Sequence, residues 1–129
     1  MRYALNPGAT ANDVAGLRDR FPQLPADYLS FLQQSDGGEG FVGIKPGYFQ
    51  LWRAHEVARY SSEYEVHEYL PGYVAIGSNG GGELYVLPLS GWPSGIFMVP
   101  AIGMAPEAVQ KVAPSFTAFV SEFGNECQD

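Results

Sequence analysis

Glycine and proline set the first limit on what this chain can become. Sixteen glycines and ten prolines fall among its 129 residues, about one position in five. Glycine weakens helix and strand interiors, while proline fixes φ and removes a hydrogen-bond donor. The elements must therefore be short, frequently punctuated and joined by tight turns. Hydrophobic residues make up 46% of the chain and aromatic residues 14%. That is enough apolar material for a packed core, so disorder of the whole chain is excluded. The length predicts a single domain over 1–129, with enough buried surface for one core and too little for two.

The spacing of apolar residues fills in the elements. Thr10 precedes Asp13 at capping-box spacing, and Val14, Leu17 and Phe21 follow at helical intervals, which predicts a helix over 11–20. Pro22 stops it. Leu24-Pro25 opens a second helix, with Tyr28, Leu29, Phe31 and Leu32 as its apolar face and Gly37-Gly38 as its end. The two helices should pack as a pair. Short β-like runs at 41–44 and 48–52 are split by Lys45-Pro46-Gly47, and Ala54, Val57, Ala58 and Ser61 predict a third helix. Residues 62–71 are acidic and aromatic without a clean period, so they read as an exposed loop.

Strands resume at 73–76, 83–89 and 96–99, joined by Ser78-Asn79-Gly80-Gly81-Gly82 and by residues 90–95. Connections of that length favour an antiparallel meander. Ser115 then N-caps a last helix with Phe116, Phe119, Val120 and Phe123 on one stripe, ended by Gly124. The predicted fold is α+β: an antiparallel β meander packed by an N-terminal helix pair and a C-terminal helix.

Charge is divided unevenly. The formal net charge is −7. Residues 1–59 are neutral overall, so all of the excess lies in 60–129, where Lys111 stands alone against eight acids ending at Asp129. Phosphate backbones and anionic membranes call for clustered Lys and Arg, so direct binding to either is disfavoured. Acidity can serve solubility alone, or it can select a basic protein partner.

No motif predicts catalysis. The three glycines after Asn79 are followed by Glu83-Leu84 rather than Lys-Ser/Thr, and they run into a strand rather than a helix. They read as a tight turn needing positive φ, with crowding against another element. His55-Glu56 and His67-Glu68 each lack a second His four residues on, so no metal or other cofactor is expected. Asp36, Gly38 and Glu39 lack the alternating ligands of a calcium loop. Cys127 is the single cysteine, which excludes an internal disulfide. With no apolar leader at the start and no membrane-length apolar run, a cytoplasmic protein is expected. Tyr64 and Tyr69 sit within the acidic stretch Glu63 to Glu68. They are either anchors of a protein-binding surface or rings buried by a loop that folds back.

Three stretches together resemble the SMI1/KNR4 family of the SUKH superfamily. Leu24-Pro25-Ala26-Asp27-Tyr28-Leu29-Ser30-Phe31-Leu32, running into Asp36-Gly37-Gly38, resembles the family's Leu-Pro-x-x-Tyr-x-x-Phe-Leu helix and its glycine turn. Ile76 to Val86 is similar to its glycine turn between strands, and Val112 to Val120 to its C-terminal Ser-Phe-x-x-Phe helix. The match spans about residues 12–124. Pro88 departs from the Asp common near the end of the glycine-turn strand, and it marks a strand end or an edge.

The resemblance implies a non-enzymatic protein-binding domain. Many bacterial members act as immunity proteins that neutralise a polymorphic toxin, and others serve as scaffold or regulatory modules. The expected partner is a cognate toxin, with a basic nuclease as the partner an acidic face would suit. The expected contacts are Glu63, Tyr64, Glu65, Glu68 and Tyr69, with Asp36 and Glu39 in second place. A scaffold module unrelated to toxins, and a small-molecule-binding protein or hydrolase, are the alternatives.

Overall fold

Short elements must bury their apolar faces against neighbours, and this chain does so by laying each strand beside the one before it. The computed structural model describes residues 2–127. Among these residues, seven strands form one antiparallel sheet whose spatial order is the chain order. They are β1 (Tyr3–Leu5), β2 (Gly38–Phe41), β3 (Tyr48–Leu51), β4 (Tyr73–Ser78), β5 (Glu83–Pro88), β6 (Ile96–Pro100) and β7 (Gln110–Ala113). Helices α1 (Ala11–Arg20) and α2 (Ala26–Gln34) connect β1 to β2. Helices α3 (Ala54–Glu63) and α4 (Val66–Tyr69) connect β3 to β4, and α5 (Phe116–Val120) follows β7. The fold is α+β, with the expected meander extended by a short strand at each edge.

The cap signals act as read. The Thr10 hydroxyl accepts a 3.1 Å bond from the Asp13 N–H, and the Ser115 hydroxyl accepts one of 3.0 Å from Ala118. The Asp27 carboxylate accepts from both the N–H and the hydroxyl of Thr117, at 3.0 and 2.9 Å, tying α2 to the start of α5. Pro88 is the last residue of a central strand, so it marks an end and not an edge.

One strand is displaced from its expected place. β2 covers 38–41 rather than 41–44, because its glycines seat β1. A Cβ on Gly38 would lie 2.4 Å from the Ala4 carbonyl oxygen, and one on Gly40 would lie 2.1 Å from the Tyr3 Cβ. What reads as a helix stop is also a place where two backbones meet.

The sheet divides the apolar residues into two clusters by strand alternation. Val74, Ile76, Tyr85, Leu87, Ile96 and Met98 face one side, where α1, α2, α3 and α5 supply Leu17, Leu32, Val57 and Phe119. Within that cluster the Phe49 and Phe123 rings stack with centroids 3.9 Å apart. Ala75, Leu84, Val86, Phe97 and Val99 face the other side, covered by Val66, Leu70 and Met104. The expected single core is thus split by the sheet, and Trp52 packs against both parts.

The second side is covered only over β4–β6. On β3, Phe49 and Leu51 are buried while Tyr48 and Gln50 are half-buried, and on β2 Glu39 and Phe41 are exposed. Beyond Leu51, α3 takes over from the strand. The Ser61 hydroxyl donates to the Ala75 carbonyl at 2.9 Å and accepts from the Ala75 N–H at 3.0 Å, filling ladder positions that β3 no longer reaches. This contact holds α3 beside the uncovered outer face of β2 and β3.

Candidate protein-binding surface

Strand alternation puts Tyr48, Gln50 and Trp52 on the same side of the chain. Gln50 pairs with Glu39 across the β2–β3 ladder, and Tyr48 pairs with Phe41. The Phe41 and Tyr48 rings meet edge to face at 6.0 Å. The Tyr48 hydroxyl donates to the Glu39 carboxylate at 2.5 Å, and this bond holds the Tyr48 pKa above its ordinary value.

The chain then turns into α3. Tyr60 and Tyr64 stand four residues apart, one helical turn, and both rings reach Trp52. Tyr60 meets Trp52 edge to face at 5.1 Å, and Tyr64 lies parallel to it, within 5°, at 6.1 Å. Trp52, Tyr60, Glu63 and Tyr64 border an open cavity of about 370 Å³. A second one, of about 340 Å³, adjoins it through Trp52 and is bordered by Glu39, Gln50, Arg53 and Glu56. The Glu56 carboxylate accepts from the Tyr60 hydroxyl at 3.2 Å and from the Arg53 N–H at 2.9 Å. Three carboxylates thus border one aromatic surface. Among the described residues, Arg53, which borders the second cavity, pairs with Asp36 at 3.7 Å, and Arg59, beside Tyr60, pairs with Glu63 at 3.8 Å.

The sequence-predicted residues fall into three groups. Glu63 and Tyr64 lie in this surface, Tyr64 being 44% exposed, and Glu39 lies at its strand end. Glu65, Glu68 and Tyr69 sit on or beside α4, where residues 62–71 were expected to form a loop. Val66 and Leu70 turn inward to the second cluster, and that burial winds the segment into a short helix with Glu68 and Tyr69 left exposed. Glu65 has φ 59°, the one positive value at a non-glycine among the described residues, where α3 gives way to α4. Tyr69 remains 51% exposed, so neither ring is buried by the segment folding back.

Asp36 is placed differently. It is buried, and its carboxylate accepts the Ala54 N–H at 2.7 Å and faces Arg53. An acid beside a glycine pair reads as solvated turn, but here it caps a distant helix. Trp52, Tyr60 and Glu56 were not among the expected contacts. Their signals were the alternation 48, 50, 52 carried past the end of β3, and the one-turn spacing of 56, 60 and 64. Asp129, counted in the acidic half, lies outside the described residues.

Fold and surface together define a small α+β domain with two buried clusters and an open face of rings and carboxylates. The chain belongs to the SMI1/KNR4 family (SUKH-1), whose model matches residues 8–122. No curated protein matches the chain significantly. Among the described residues, no helix is long and apolar enough to cross a membrane.

Proposed function

We propose that this chain is an immunity protein of the cytoplasm that neutralises a cognate toxin by binding it, not by catalysis. The observation that carries this reading is the uncovered face on which Glu39, Glu56 and Glu63 surround Trp52, Tyr60 and Tyr64. Aromatic rings supply much of the energy at protein interfaces, and carboxylates around them steer a basic partner and select it. Glu65, Glu68 and Tyr69, exposed on or beside α4, remain further expected contacts. Membership of the SMI1/KNR4 family supports the immunity role. A basic nuclease is the toxin this charge suits best, because its cleft already attracts phosphate.

The test is co-expression in a sensitive host with the toxin encoded beside this chain in its own genome. Wild-type protein should restore growth. The triple variant Glu63→Gln, Glu65→Gln, Glu68→Gln should slow association about tenfold at low salt and flatten its salt dependence. Wild-type protein that fails to restore growth overturns the immunity reading. An unchanged rate in the triple variant overturns the acidic face.

A further inference from the structure

We infer that the cradle of Trp52, Tyr60, Tyr64 and Glu63 is a receptor for one arginine side chain of a protein partner, and that Arg59 is an internal placeholder for it. This rests on the binding reading above for the partner being a protein. The chemistry of the cradle stands on its own geometry.

Aromatic faces attract cations, and a neighbouring carboxylate adds a directed hydrogen-bond acceptor. Both are present around one open cavity of about 370 Å³, with the Tyr64 ring parallel to Trp52 and the Tyr60 ring nearly perpendicular to it. A guanidinium suits this set better than an ammonium. It is planar, stacks on rings and offers a fork of donors to a carboxylate. The chain supplies an example of the contact itself. The Arg59 guanidinium lies 4.7 Å from the centre of the Tyr60 ring and 3.8 Å from the Glu63 carboxylate. Both side chains of that ion pair are more than half exposed, at 61% and 62%. An exposed pair one helical turn apart is weakly held, so an incoming arginine displaces it at little cost. Arg59 keeps the Glu63 carboxylate neutralised until then.

The two tryptophans are Trp52 and Trp92. Trp92 is 78% exposed, so Trp92→Phe leaves Trp52 as the single tryptophan, excited selectively beyond the tyrosine absorption band. In that background N-acetyl-arginine amide is titrated against N-acetyl-citrulline amide, which has the same shape without the charge. Arginine should change Trp52 emission saturably, with citrulline about fivefold weaker or worse. Glu63→Gln should weaken the arginine probe about threefold. Arg59→Ala, by removing the placeholder, should tighten it about twofold, a gain that unfolding cannot produce.

Equal binding of arginine and citrulline overturns the receptor, and unchanged or weaker binding by Arg59→Ala overturns the placeholder. The probe needs no toxin. A negative result here beside restored growth in co-expression removes the cradle and leaves the immunity role standing. A positive result beside failed growth keeps the cradle and assigns it another partner.

Discussion

Asp36 and Ala54 lie eighteen residues apart, and the carboxylate of the first accepts a 2.7 Å hydrogen bond from the backbone N–H of the second. Arg53 is the N-cap of α3, and an arginine side chain has no acceptor to offer the helix. Asp36 supplies it from the end of α2, and its negative charge also suits the positive end of the helix. Asp36→Ala should therefore cost about 2–3 kcal/mol and lower the thermal midpoint by roughly 10 °C. Asp36→Asn keeps one acceptor oxygen and should cost about half as much. Melting followed by circular dichroism decides it, with exposed Glu39→Gln as the reference. An Asp36→Ala midpoint no lower than that reference would remove the cap from the account.

Tyr28 and Tyr85 bury their rings alike and their hydroxyls differently. The Tyr85 hydroxyl donates to the Tyr48 carbonyl at 2.6 Å, while that of Tyr28 has no hydrogen-bond partner among the described residues. Tyr85→Phe should cost about 1 kcal/mol, and Tyr28→Phe should be neutral or stabilising. Burial raises both phenol pKa values, with Asp36 adding to the effect at Tyr28 and Glu83 at Tyr85. The unfolded chain releases these protons near pH 10, where the native state keeps them. The stability they contribute is complete below pH 10. It falls above that, by about 1.4 kcal/mol per pH unit for each tyrosine. Tyr48, held up by Glu39, adds to the same slope, so Tyr28→Phe should reduce but not abolish the fall in urea midpoints between pH 9.5 and 11.5, and an unaltered slope would contradict the assignment.

The glycines around the β4–β5 turn are not equivalent. Gly80 and Gly82 have φ of 76° and 103°, whereas Gly81 has no positive φ and would bring an added Cβ no nearer than 3.6 Å to Asn79. Gly77, on β4, would drive a Cβ to 2.4 Å from the Gln50 carbonyl oxygen. Gly81→Ala should change stability by less than about 0.5 kcal/mol, and Gly77→Ala should cost about 3 kcal/mol or more. Urea denaturation compares them. Equal midpoints would mean that β3 and β4 do not approach as closely as described.

Elements with a long apolar period were legible in the sequence. α1, α2 and α3 fall where Val14, Tyr28 and Val57 repeat at helical spacing, and Ser115 caps α5 as expected. β1 and β7 were not legible, because three or four residues at a sheet edge bury one side chain or none. α4 was missed for a related reason: only Val66 and Leu70 mark its inner side, and two positions make no period. The candidate surface was half legible. Local sequence exposed Glu63 and Tyr64, but Trp52 joins them only because β3 ends where α3 begins. The inward turn of Asp36 depends on Ala54, and no local pattern links those two.

The outer face of β2 and β3 stands apart from both buried clusters. Exposed positions of that kind exchange side chains at a cost typically within about 0.5 kcal/mol. Recognition and folding are therefore inherited separately. Under the proposed role, a lineage can rewrite Glu39 and Phe41 on β2, or Tyr64 at the end of α3, to fit a changed partner while Phe49, Ile76 and Phe119 stay as they are. Trp52 is the exception, since it packs against both clusters and also borders the open face. New specificities on this scaffold would be rebuilt around that one ring.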